Sequence, residues 1–129
     1  MSITDDRQEL YTALNTLAPI GDTRIRLCLY APQKAQPYTA YIELAGAEQA
    51  PTFGHLQVVW EITATASARL AASAAAEFLD QLTGAIIRAI HGQQAADLAN
   101  VEPYFVLSDP SNGAAIPATR LTFTSRTTI

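Results

Sequence analysis

The chain has 129 residues, 49% of them apolar and 16% charged, with a formal net charge of -4 and a pI near 4.9. That balance fits one ordinary folded domain over residues 1–129 and excludes disorder. Lys34 is the only lysine and the seven arginines are scattered, so the basic cluster that nucleic-acid phosphates require is missing.

A single cysteine, Cys28, rules out an internal disulfide and a cysteine-based zinc site. Within "RIRLCLY" it reads as a small packing residue. The opening "MSITDDRQEL" is acidic and polar, unlike a signal peptide, and no apolar run nears the roughly 20 residues that cross a bilayer. The expectation is a soluble protein made in a cytoplasm.

In chain order, Thr4 is the expected cap of a first helix, with Asp5 and Asp6 in the turn where the helix dipole favours negative charge. Leu10, Ala13, Leu14 and Leu17 then recur at helical spacing, and Pro19 and Gly21 end the element. "TRIRLCLY" predicts a strand with Ile25, Leu27 and Leu29 on one face and Arg24, Arg26 and Cys28 on the other. Pro32 and Pro37 bracket a short loop. "YTAYIELAG" predicts a second strand, with Ala40, Ile42 and Leu44 opposite Thr39, Tyr41 and Glu43. A loop is expected over 45–55.

The third strand runs from His55 to Ala66. Leu56, Val58, Trp60, Ile62, Ala64 and Ala66 share one face; Gln57, Val59, Glu61, Thr63 and Thr65 share the other. At Ser67, a candidate cap, the period changes from 2 to 3.6. Ala71, Ala75, Phe78, Leu79, Leu82, Ile86, Ala89 and Ile90 then form one arc of an amphipathic helix, with Gly92 as the expected C-cap. That helix would be about 36 Å long and the strand before it about 40 Å, so the two can lie along each other. "NVEPYFVLSD" and "ATRLTFTSRTT" predict two closing strands around a turn-forming segment, "DPSNGAAIP". The fold expected is α+β: a mostly antiparallel sheet of about five strands, two helices on one face, order α-β-β-β-α-β-β.

Few residues invite chemistry. His55 and His91 sit at element ends without a neighbouring ligand at metal spacing. Glu77 and Asp80 lie on the outer arc of the second helix and read as solvated. No phosphate-binding glycine motif and no nucleophile elbow is present. Glu43 and Glu61 are expected to neighbour each other across two strands, with Arg24 or Arg26 neutralising them. Those four residues around a closed cavity would instead mark a small-molecule site or an enzyme. The sheet face away from the helices carries Arg24, Arg26, Tyr41, Glu43, Glu61 and Arg120 and reads equally as a solvated face or a partner surface. Ile87, near the polar arc of the second helix, is expected to be exposed in a monomer.

This layout has a counterpart. A short leading helix, the strands "RIRLCLY" and "PYTAYIEL", a long "LQVVWEITATA" strand running into the alanine-rich "SARLAASAAAEFLDQLTGAII", and a threonine-rich closing strand together resemble the tail terminator (tail completion) proteins of long-tailed bacteriophages and prophages. The resemblance covers most of the chain and rests on element order and pattern. It implies a non-enzymatic structural protein without cofactor or metal, assembled in the host cytoplasm and located in the virion tail. Such a protein forms a ring, usually a hexamer, on the tail tube, ends polymerisation of the major tail tube protein and presents a surface to a head-completion protein. A role as another head–tail connector fits the same pattern. No contact residues transfer from the family. From the residues alone, ring and tube contacts are expected on the open sheet face and in the loops 45–55 and 108–117, which hold Phe53 and Asn112.

Overall fold

A computed structural model describes residues 2–49, 54–108, 113 and 115–128. Its elements follow the expected order: α1 (Ile3–Leu14), β1 (Arg26–Cys28), β2 (Thr39–Gln49), β3 (His55–Thr65), α2 (Ala72–Gly92), β4 (Asp97–Ser108) and β5 (Ala115–Thr128). The five strands form one sheet in the order β1-β2-β3-β5-β4. Both helices pack on the same face. Leu10 and Leu14 of α1 and Leu82, Ile86 and Ile90 of α2 close over Ile42, Trp60, Ile62, Leu121 and Phe123.

The period-2 face read in β3 is the core face: Val58, Trp60, Ile62, Ala64 and Ala66 are inaccessible to solvent. Leu121 and Phe123 stand directly opposite Ile62 and Trp60, which puts the large side chains of two adjacent strands under the helices. In α2 the buried residues are Ala75, Leu79, Leu82, Ile86 and Ile90. Ala71 is exposed, because it caps the helix instead of lying within it.

The termini of the helices depart from expectation in instructive ways. Ser2, not Thr4, caps α1. Its hydroxyl accepts the Asp5 N–H and the Asp5 carboxylate accepts the Ser2 N–H, both at 3.1 Å. The residue three beyond Thr4 is Arg7, which has no acceptor to complete such a box. Ser67 does not cap α2; its hydroxyl accepts from the Arg69 N–H in a turn that reverses the chain. The helix then starts at Ala72 without a side-chain cap, carried by a run of strong helix formers. At its other end Gly92 is still helical. Gln94 takes the left-handed conformation (φ 52°), and the Gln94 and Ala95 N–H groups return to the His91 and Ile90 carbonyls, which is a Schellman closure.

The strand edges also differ. β1 is only three residues long and runs parallel to β2, pairing Arg26 with Thr39 and Cys28 with Tyr41. The segment 29–38 carries the chain back to the starting end, and Tyr38 (φ 52°) turns it into β2. The expected loop 45–55 is mostly strand, since β2 continues to Gln49 through a register shift between Leu44 and Gly46. The expected loop 108–117 is shortened in the same way, because β5 begins at Ala115. Phe53 and Asn112 lie outside the described residues. A second register shift in β4, between Glu102 and Phe105, spans Pro103. An edge strand with a bulge is where a proline, lacking its N–H, fits.

Two polar anchors fix α1. Arg7 donates through Nη1 to the carbonyls of Leu29 (2.6 Å) and Ile42 (2.7 Å), while its guanidinium lies over Tyr30 and Trp60 at 4.3 and 5.2 Å from the ring centres. β1 pairs with β2 only as far as Tyr41, so the Ile42 carbonyl lies past the end of that ladder and Arg7 satisfies it. Asp6 is buried and accepts from the hydroxyls of Thr127 and Ser125; Ser125 in turn accepts the Trp60 indole N–H at 2.9 Å. Burial, then the Glu9 charge, raises the Asp6 carboxyl above the ordinary carboxylate range.

Candidate interaction face

The face of the sheet opposite the helices is built by the alternate residues of each strand. One row crosses all five strands: Cys28 faces Tyr41, Tyr41 faces Thr63, Thr63 faces Arg120 and Arg120 faces Glu102. The next row on the same face pairs Glu43 with Glu61 and Glu61 with Thr122.

Arg120 organises this face. Its Nε lies 3.1 Å from the Glu61 carboxylate and 3.4 Å from the Thr63 hydroxyl, its Nη1 lies 3.3 Å from the Glu102 carboxylate, and its guanidinium covers the Phe105 ring at 4.5 Å. The expected Glu43–Glu61 juxtaposition is present. Its neutralising cation is Arg120, and neither Arg24 nor Arg26 takes that place. β1 is too short and lies across β2 from β3, so Arg26 instead donates to the Gln36 side chain at 3.1 Å. Arg24 is exposed before β1, beside a hollow shared with Tyr11, Leu14 and Leu17. Glu43, opposite Glu61, forms no ion pair among the described residues.

Part of the face is shielded from water. Tyr41 is 8% exposed, and Thr39, Thr63 and Thr65 are buried. Thr65 is closed over by the segment before β2: its hydroxyl bonds the Gln36 carbonyl at 2.6 Å and receives the Thr39 N–H at 3.0 Å. Burial pushes the Tyr41 hydroxyl above its ordinary 10.0, and a hydrogen bond with Thr63 offsets part of that rise. Cys28 is half-buried. Ile87 is not the exposed residue expected; it is half-buried against the main core.

A separate cleft of about 680 Å³ opens on the helix side, lined by Asp6, Glu9, His91, Asp97 and Arg126 among others. Its buried carboxylate, Asp6, is already engaged by Thr127 and Ser125. His91 is exposed at the end of α2, as read, whereas His55 is half-buried beside Thr128 of β5. Among the described residues, no three His, Cys, Asp or Glu side chains are placed to hold a metal ion. No described helix is long and apolar enough to cross a membrane.

The four charges that would have marked a small-molecule site do not surround one cavity. Glu43 and Glu61 lie on the open sheet, Arg26 on its edge strand and Arg24 beside the C-terminal end of α1. No protein-family model matches the chain, and no curated protein matches it. The sequence reading missed Arg7, Asp6 and the reach of Arg120. Of these only Arg120 carried a signal, its place in an alternating strand beside the two glutamates.

Proposed function

We propose that this protein is a structural component of a long-tailed phage or prophage virion. It closes the tail tube as a homo-oligomeric ring of six copies, stops addition of the tail tube protein and presents the surface that a head-completion protein meets. The observation that carries this reading is the sheet face away from the helices: five strands side by side, shielded around Tyr41, Thr63 and Thr65 and open at Glu43, Glu61 and Arg120, with Arg120 held by two carboxylates, a hydroxyl and an aromatic ring. A side chain fixed in advance loses little conformational freedom when a partner binds, which suits a rigid recognition surface. Glu43 beside it, without an ion pair among the described residues, favours a partner that brings a cation. The element order further supports a tail terminator. Catalysis plays no part in such a role, and neither does a cofactor.

The test is tube assembly. A long-tailed phage tail tube protein is polymerised with and without this chain, and tube lengths are measured by electron microscopy. Short tubes with density at one end are expected. Unchanged lengths at molar excess would contradict the proposal.

A further inference from the structure

The two ends of the sheet complement each other. β1 and β4 are its edge strands, and among the described residues neither has a strand on its outer side. The large apolar side chains most exposed to water are Tyr30 and Leu44 at the β1–β2 end and Tyr104 and Val106 on β4. They divide evenly between opposite edges. Charge divides too. Residues 23–38, which contain β1, carry Arg24, Arg26 and Lys34 and no acid; β4 carries Asp97 and Glu102 and no base.

Geometry adds a third match. Cys28 and Glu102 end the same row, so both edges lie at one level. β1 runs parallel to β2, and each later step across the sheet is antiparallel. A second copy placed in line would therefore bring its β1 antiparallel to β4 of the first.

We infer that copies of this chain join head to tail, the β1 edge of one against the β4 edge of the next, through a continued antiparallel sheet. The contact buries Tyr104 and Val106 beneath the β1 side of the neighbour and brings its Arg26, level with Phe105 in the continued register, close to Glu102. Because the two surfaces differ, the contact repeats and gives a ring when the rotation closes. Short edge strands and an edge proline also serve to discourage pairing, but a guarded edge does not present a tyrosine and a valine to water. The inference rests on the ring reading and names the joint within it.

Cys28 is the only cysteine, which makes the test direct. Glu102→Cys puts a second thiol at the far end of the same row, four strand spacings or about 19 Å away, beyond intramolecular disulfide reach. Asn100→Cys, two pairs along β4 from Glu102 and in the next row of the same face, covers a neighbouring register. Mild oxidation should convert at least one of these variants into a reducible ladder of linked copies, and the same change combined with Cys28→Ser should give no ladder. Arg26→Glu should raise the concentration for half-assembly by about tenfold or more. Dimers linked through β4 alone in the Cys28→Ser background would overturn the inference. So would self-association by light scattering with no 28-to-β4 link, which would leave the ring reading standing. A chain that stays monomeric and unlinked at every concentration would defeat both.

Discussion

Replacing Arg7 with methionine should be among the most damaging changes outside the apolar core. The side chain makes two short charge-assisted hydrogen bonds to backbone carbonyls, at 2.6 and 2.7 Å. Bonds to charged groups contribute about 1.5–3 kcal/mol each, and partial burial argues for the low end. Stacking on Trp60 and Tyr30 adds about 1 kcal/mol, part of which methionine recovers by packing. The expected net loss is about 3 kcal/mol, from a total of about 5–15 kcal/mol for a domain. Arg120→Met is the control. That guanidinium has more partners, but its ion pairs are partly open to water, with side chains 30% and 32% exposed in one and 30% and 50% in the other. Such pairs are worth about 0.5–1 kcal/mol. Urea unfolding of both variants, followed by far-UV circular dichroism, should separate them by about 2 kcal/mol, and thermal unfolding should place Arg7→Met roughly 10 °C below the parent. Equal losses, or a loss under about 1 kcal/mol for Arg7→Met, would refute the anchoring role of α1's arginine.

Three further outcomes follow from the same structure. Asp6 holds its proton more tightly when folded, so its contribution is most favourable below its ordinary pKa of 3.8 and declines as pH rises through the raised folded value; Asp6→Asn should therefore match or exceed the parent's stability at pH 7, and a deficit of equal size at pH 3 and pH 7 would contradict this. Exposed Asp5 has the opposite sign, its lowered carboxyl pKa favouring the fold above 3.8 and losing that benefit in acid, so the parent's acid limb should persist in Asp6→Asn. Gln94→Gly should raise the unfolding free energy by about 0.5–1 kcal/mol, read as a higher urea midpoint with an unchanged m-value, since glycine adopts φ 52° without steric cost; a fall would show that the Gln94 side chain matters more than its backbone. In an alkaline titration by ultraviolet absorbance one tyrosine should ionise above 10.0 and vanish in Tyr41→Phe, and an unaltered titration curve in that variant would place the raised group elsewhere.

The long elements were legible because their burial follows a single period. β3 alternates and α2 repeats at 3.6, and each buries most of the arc its pattern marks, although Thr63 and Thr65 on the other face of β3 are buried as well. Edges were less legible because they depend on where a neighbour stops. β1 reads as eight residues of alternation, yet pairs over three, and only that early end explains why Ile42 needs Arg7. The Asp6 site was hidden for a similar reason. An acid in a first helical turn reads as dipole complement, and its burial depends on β5 returning Ser125 and Thr127 more than 110 residues later. On the open face alternation placed Glu43 and Glu61 together, but the choice of Arg120 over Arg26 follows from the strand order, which no local pattern encodes.

The central claim is a protein that works as a closed ring of identical copies joined at opposite sheet edges. Native mass spectrometry of the purified chain across a concentration series tests it most directly. The account predicts a single dominant assembly of six copies of the 13.8 kDa chain, lost in Arg26→Glu. A chain that remains a monomer throughout, or that stops at a dimer, would contradict it.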